Sequence, residues 1–215
     1  MRREWAQRVE VEYRSAAVTQ QLGLWLTQLG ASPDLIRAAL RIAADELDHA
    51  QRSHRVAVAA GSEAHVIDRA SLMLEDGDLE RVVTQTALGT FCLGESVAVP
   101  LFAAMRRGCT VAVARRALDR ILIDEVRHRA FGWTLLGWLL EHVPGTRVIV
   151  EGTLPRSFAA LRRTYVATDS AATDDERAWG LIAPREYAPI LAKTFERDYV
   201  PSFAALGIDA GAAWG

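Results

Sequence analysis

Two five-residue strings in this chain have the same form. Asp45-Glu46-Leu47-Asp48-His49 and Asp124-Glu125-Val126-Arg127-His128 both read D-E-x-x-H. Each lies in a long stretch whose apolar residues recur at helical spacing, and residues three apart on a helix share a face. Glu46 with His49, and Glu125 with His128, can therefore each turn one oxygen and one nitrogen toward the same point. Any fold for this sequence has to accommodate two such acidic, imidazole-bearing faces on two separate helices.

The rest of the chain supplies partners for them. Trp5, Val9, Ala16, Leu22, Leu26 and Leu29 recur at helical spacing, and Gly30-Ala31-Ser32-Pro33 then reads as a turn with Ser as cap and Pro at the first helical position. The second helix is predicted from about Pro33 to Ala60, stopping at Gly61. Residues 61–78 are broken by Gly and Asp and read as a crossover, with a short helix around Ile67–Leu74. Asp78 is a good N-cap for a third helix over 79–107, and Thr110 caps a fourth from Val111 to about His142, ended by Pro144-Gly145. Two further helices are expected over about 147–166 and 184–206, separated by the polar stretch Asp169–Glu176, with Pro155, Pro189 and Pro201 breaking or kinking them. The reading is all-α: a four-helix bundle over 1–145 with one long crossover, and a helical extension over 146–215 packing on it.

The first and third helices each carry a glutamate on an otherwise apolar face, which is the informative kind of exception. Glu12 shares the face of Trp5, Val9, Ala16 and Thr19, whereas the face of nearby Glu10, with Ala6, Gln7 and Arg14, is more polar. Glu95 shares the face of Leu88, Phe91, Cys92, Val99 and Phe102. Glu12 lies 17 residues before Leu29 and His49 lies 16 after Pro33, so antiparallel helices hold them level to about one turn. Glu95, 12 before Arg107, and Glu125, 14 after Val111, come level in the same way. Glu12, Glu46, His49, Glu95, Glu125 and His128 are thus able to converge at mid-bundle.

This six-residue pattern, one Glu from each of two helices and Glu-x-x-His from each of the other two, resembles the ferritin-like di-iron carboxylate superfamily over about residues 5–142. The D-E-x-R-H form at Asp124–His128 looks like the fourth-helix motif of its oxygenases and ribonucleotide reductase-like members. The resemblance implies two bridging and two terminal carboxylates around two iron ions, or a Mn/Fe pair, with dioxygen as co-substrate. It implies an oxidoreductase, of monooxygenase or oxidase type, acting on a small organic molecule. Ferroxidase or rubrerythrin-like peroxide removal is the alternative, although ferritins usually have one complete Glu-x-x-His and rubrerythrins usually add a Cys₄ iron domain. Arylamine N-oxygenases carry a further histidine one turn before the fourth-helix glutamate, where this chain has Ile121.

Charge supports the metal reading. Four carboxylates in a bundle core would each cost several kcal/mol and repel one another, whereas two divalent ions neutralise them. Oxygen-rich ligation with one imidazole per ion suits Fe or Mn better than tetrahedral zinc. Asp45 and Asp124 fit as acceptors of the free ring N–H of a ligand histidine on the facing helix. Asp48 and Arg127 hold equivalent repeat positions and pair in this reading. Leu88, Phe91, Cys92, Val99 and Phe102 would line an apolar substrate cavity.

Composition sets the limits. The chain has 215 residues with a formal net charge of −2, which gives no basic footprint for nucleic acid. Of its 25 basic residues only Lys193 is lysine, which fits coding bias better than phosphate recognition. Two cysteines 17 apart, Cys92 and Cys109, exclude a disulfide framework, a zinc ribbon and a Cys₄ iron site. No uninterrupted apolar run reaches a bilayer's width and Met1–Trp5 has no apolar leader, so a cytoplasmic protein without a membrane partner is expected. With no flavin, nicotinamide or iron–sulfur motif, electrons would come from an external donor; a homodimer is left open. His54, His65 and His142 are read as surface or crossover residues, Trp133 and Trp138 as core packing, and Tyr13 as pointing away from Glu12. Pro100 either kinks the third helix or opens room beside Glu95.

Overall fold

The computed structural model describes residues 1–63, 67–72, 77–165 and 171–215. Among them every regular element is a helix, with no strand. The long helices are α1 (Arg2–Gln28), α2 (Pro33–Ala59), α3 (Leu79–Gly108), α4 (Ala112–His142) and α5 (Thr146–Thr164). Shorter pieces follow at Asp174–Ala178, Tyr187–Thr194, Val200–Ala205 and Ala210–Trp214.

The punctuation read from the sequence holds with small shifts. Gly30 takes φ 70°, Ser32 Oγ accepts the Leu35 N–H, and Pro33 opens α2. Gly61 takes φ 84° just past α2, and Asp78 accepts the Arg81 N–H. Helix α4 begins at Ala112 rather than Val111, and Thr110 does not cap it. The Thr110 and Val111 amides instead both bond the Ala178 carbonyl. The crossover helix is a single 3₁₀ turn, Arg69–Leu72; Leu74, His65 and Asp169 lie outside the described residues. Pro155 does not break α5: it sits on the exposed face, where water can take up the carbonyl that its missing N–H leaves free.

Helix α3 is not a plain α-helix. Residues Ala87–Gly94 form a π-helix between α-helical Leu79–Thr86 and Glu95–Gly108. A second π stretch, Phe195–Tyr199, precedes Val200–Ala205. Pro201 has no N–H for the i−4 bond, and this π stretch ends two residues before it. On length and composition α3 could cross a membrane, yet 56% of its most apolar window is buried, as in a core helix.

The chain divides into two compact units. The first comprises Met1–Asp76, Met105–Asp124 and Asp174–Leu181. In it α1 and α2 pack as a hairpin whose buried side includes Trp5, Val9, Ala16, Leu22, Leu26, Ala39, Ile42 and Ala43. Trp5 Nε1 donates to the Trp179 carbonyl at 3.1 Å, tying Asp174–Leu181 to the start of the chain. Gly180, at φ 79°, lies so near Leu118 that a Cβ there would come within 2.6 Å of it.

The second unit comprises Gly77–Ala104, Glu125–Thr173 and Ile182–Gly215. Its core is built from Leu88, Phe91, Leu93, Val97, Leu135, Leu139, Leu154, Phe158, Tyr199 and Phe203. Phe158 meets Phe195, Tyr199, Phe203 and Trp214 at ring separations of 5.1–6.2 Å. Gly132 allows the closest approach in this unit: a Cβ there would lie 2.5 Å from the Phe91 backbone.

Candidate metal centre

In the first unit, Glu12 of α1 and Glu46 and His49 of α2 form one buried group. Each offers a ligand atom, and these atoms lie within 4.8 Å of one another. Glu12 is 5% exposed, Glu46 2% and His49 fully buried. The 3.6-residue period puts Glu46 and His49 on the buried side of α2, and the hairpin brings Glu12 level with them. Glu10 is half-buried and outside this group.

The histidine ring is oriented from both sides. Nε2 of His49 lies 3.2 Å from Asp124 Oδ2, and the same oxygen accepts from Arg120 Nε at 2.7 Å. The carboxylate fixes the ring proton on Nε2, so Nδ1 carries the lone pair. That Nδ1 faces Glu46 Oε2 at 3.5 Å. Two lone-pair atoms at this separation have the chemistry of ligands to one cation.

The second unit repeats the local geometry. Nδ1 of His128 faces Glu125 Oε2 at 3.6 Å, with His128 fully buried and Glu125 3% exposed. Both Glu-x-x-His pairs thus present the same two atoms at nearly the same spacing, and both can bind metal. Glu95 is buried in this unit as well. Its backbone N–H bonds the Thr90 carbonyl five residues back, so Glu95 is the residue that closes the π-helix.

That register decides which expected neighbours share its burial. Leu88, Phe91 and Cys92 are fully buried, but past the π-helix the buried positions are Ser96, Val97, Leu101 and Ala104, and Val99 and Phe102 are half-buried. A straight α-helix would have kept Val99 and Phe102 on the face of Leu88; the wider π turn rotates them off it. Cys92 Sγ donates to the Gly132 carbonyl, and burial pushes its thiol pKa well up, which makes it a packing residue.

Asp48 takes Arg52, one turn on, as its ion-pair partner at 2.7 Å. Asp45 Oδ1 lies 3.7 Å from Arg120. Arg120 therefore serves the leading aspartates of both D-E-x-x-H strings, a role the sequence reading missed. The signal was present: the repeat extends backward to R-I-x-x-D-E-x-x-H, from Arg41 and from Arg120. Arg41 is exposed, so the two copies differ in structure.

Three tyrosines of the tail were also missed. Tyr165 stacks on Tyr187 at 5.9 Å, and its hydroxyl pKa is pushed up to about 12, by burial first and then by Tyr187 and the Glu95 carboxylate. Tyr199 donates to the Leu93 carbonyl at 2.6 Å. No motif marks them, because they come from the tail. Trp133, read as packing, also donates from Nε1 to Ser96 Oγ at 3.1 Å. His142 is exposed and stacked on Trp138, and His54 borders an open groove with Tyr13, Leu47 and Gln51. Compared with known proteins, the chain matches no family model, no curated protein and no solved structure.

Proposed function

We propose that this chain is a di-iron carboxylate protein of ferritin-like type that uses dioxygen to oxidise a small organic substrate. In this reading Glu12, Glu46, His49, Glu95, Glu125 and His128 hold two ions, within a four-helix bundle of residues 1–145 that the segment 146–215 covers. The observation that carries it is the repeated pair of buried Glu-x-x-His groups, with Nδ1 to Oε2 spacings of 3.5 and 3.6 Å. Glu12 joins one of them, and Asp124 fixes the donor atom of its histidine. Four buried carboxylates carry the charge that two divalent cations balance.

A ferrous pair bound there supplies the electrons that reduce dioxygen. The chain's own residues do the rest. Asp124 holds the His49 proton at Nε2. Leu88, Phe91 and Cys92 keep water away from Glu95. Electrons for repeated turnover come from a separate donor protein.

Anaerobic ferrous titration tests the reading: about two ions per chain are expected from the six-ligand set. A stoichiometry near zero after iron loading overturns it. Continuous dioxygen uptake by the loaded protein without any organic substrate would move the assignment to ferroxidase or peroxide chemistry.

A further inference from the structure

The second unit contains two π-helical stretches, and one hydrogen bond joins them. Tyr199 is the last residue of Phe195–Tyr199, and its hydroxyl donates to the Leu93 carbonyl, inside Ala87–Gly94, at 2.6 Å. Leu93 is two residues before Glu95, whose own N–H makes the i−5 bond that closes that stretch. The ring of Tyr199 is fully buried and meets Phe158 at 5.8 Å, so the hydroxyl has no alternative partner in water.

We propose that Tyr199 is a positioning residue: its hydroxyl holds the Ala87–Gly94 π-helix in register and thereby fixes where Glu95 presents its carboxylate. The inference rests on the reading of Glu95 as a metal ligand. A π-helix is less favourable than the α-helix it replaces and persists where the surroundings over-determine it. Three contacts do so here, on three of the five residues from Cys92 to Ser96. Cys92 Sγ bonds the Gly132 carbonyl, Leu93 receives the Tyr199 hydroxyl, and Ser96 receives Trp133 Nε1. The Gly132 bond is a weak thiol one, and the Trp133 bond falls past the π-helix; the Tyr199 bond alone is short, buried and inside it. If the stretch relaxed to α, Glu95 would turn by about 100° and shift by about 1.5 Å along the axis, which takes a carboxylate out of ligand range. The tail, which contributes nothing to the D-E-x-x-H pattern, would through this contact govern one of the two ions.

The test is Tyr199→Phe, which removes the hydroxyl and keeps the ring, beside Phe195→Leu, which loosens the same aromatic cluster without touching that bond. In metal-free protein, hydrogen exchange of the amides from Leu93 to Ser96 is expected to speed up about fivefold in Tyr199→Phe, the worth of one neutral hydrogen bond, and to stay near wild type in Phe195→Leu. In cobalt(II) titrations, one of the two ions is expected to bind at least fivefold more weakly to Tyr199→Phe, with the other unchanged. Unaltered exchange and unaltered affinity in Tyr199→Phe overturn the proposal, as does an equal loss of affinity in Phe195→Leu. If wild-type protein takes up no metal, the functional reading fails by itself, and the exchange measurement still decides whether Tyr199 sets the register.

Discussion

Replacing Asp124 with Asn tests the link between the buried carboxylate and metal affinity. Asp124 is fully buried, accepts from Arg120 Nε at 2.7 Å and holds His49 Nε2 at 3.2 Å. Asparagine keeps the size and one oxygen acceptor but removes the charge. A hydrogen bond to a charged group contributes about 1.5–3 kcal/mol and a neutral one about 1, so the hold on His49 weakens by about 1–2 kcal/mol. That corresponds to roughly five- to thirtyfold in affinity for the ion bound by Nδ1, which overlaps the lower part of the ten- to hundredfold usual for such outer partners. Arg120 is 40% exposed and can turn to water, so its own loss adds at most about 1 kcal/mol to folding. At a metal concentration of one hundred times the wild-type Kd, metal should stabilise wild type by about 2.7 kcal/mol and a tenfold weaker variant by about half that. Isothermal titration gives the Kd, and melts with and without metal give the increment. A merely structural Asp124 would lower the melt of the metal-free protein and leave Kd and increment alone. That result, with Kd within twofold of wild type, would refute the argument.

Two other perturbations follow from the second unit. Gly132→Ala places a Cβ 2.5 Å from the Phe91 backbone, which cannot swing aside as a side chain would; a loss of about 1–3 kcal/mol is expected, read as a lower melting temperature, and an unchanged melt would mean the two helices separate freely there. The Tyr165 hydroxyl is held neutral up to about pH 12, above its value of 10 in the unfolded chain. Its contribution to stability is therefore complete below pH 10 and is lost as pH rises from about 10 toward 12. Absorbance titration at the phenolate band should show a late step that Tyr165→Phe removes; if the late step persists in the variant, it belongs to another tyrosine.

The legible parts of this protein are those that obey a period. Ser32-Pro33, Gly61 and Asp78 mark helix ends through chemistry that acts within four residues, and the structure uses all three. Glu12, Glu46 and His49 stand out because a carboxylate on an apolar stripe breaks a pattern that α-geometry makes visible, and the structure groups these three. Thr110 is not the cap because α4 starts only at Ala112, and the Thr110 and Val111 amides both bond a distant carbonyl, that of Ala178. The pairing of Asp48 was read from repeat symmetry, yet Arg52 is one turn away on the same helix and reaches it locally.

What stayed hidden in α3 has a different cause. Ala87–Gly94 reads A-L-G-T-F-C-L-G, a string with no proline and with two glycines, and nothing in it demands i−5 rather than i−4 bonding. The demand comes from outside. Phe91 needs a glycine at 132 to pack against, and Leu93 receives a hydroxyl from residue 199. A periodicity argument carries the α phase straight through such a segment and places Val99 and Phe102 beside Leu88. The structure leaves both half-buried and turns Val97 and Leu101 inward. The phase error begins at the residue that matters most, since Glu95 is the first position after the slip. Register at a buried carboxylate is thus set by contacts hundreds of ångströms of unfolded chain away, and a substitution in the tail can move a ligand that no local rule connects to it.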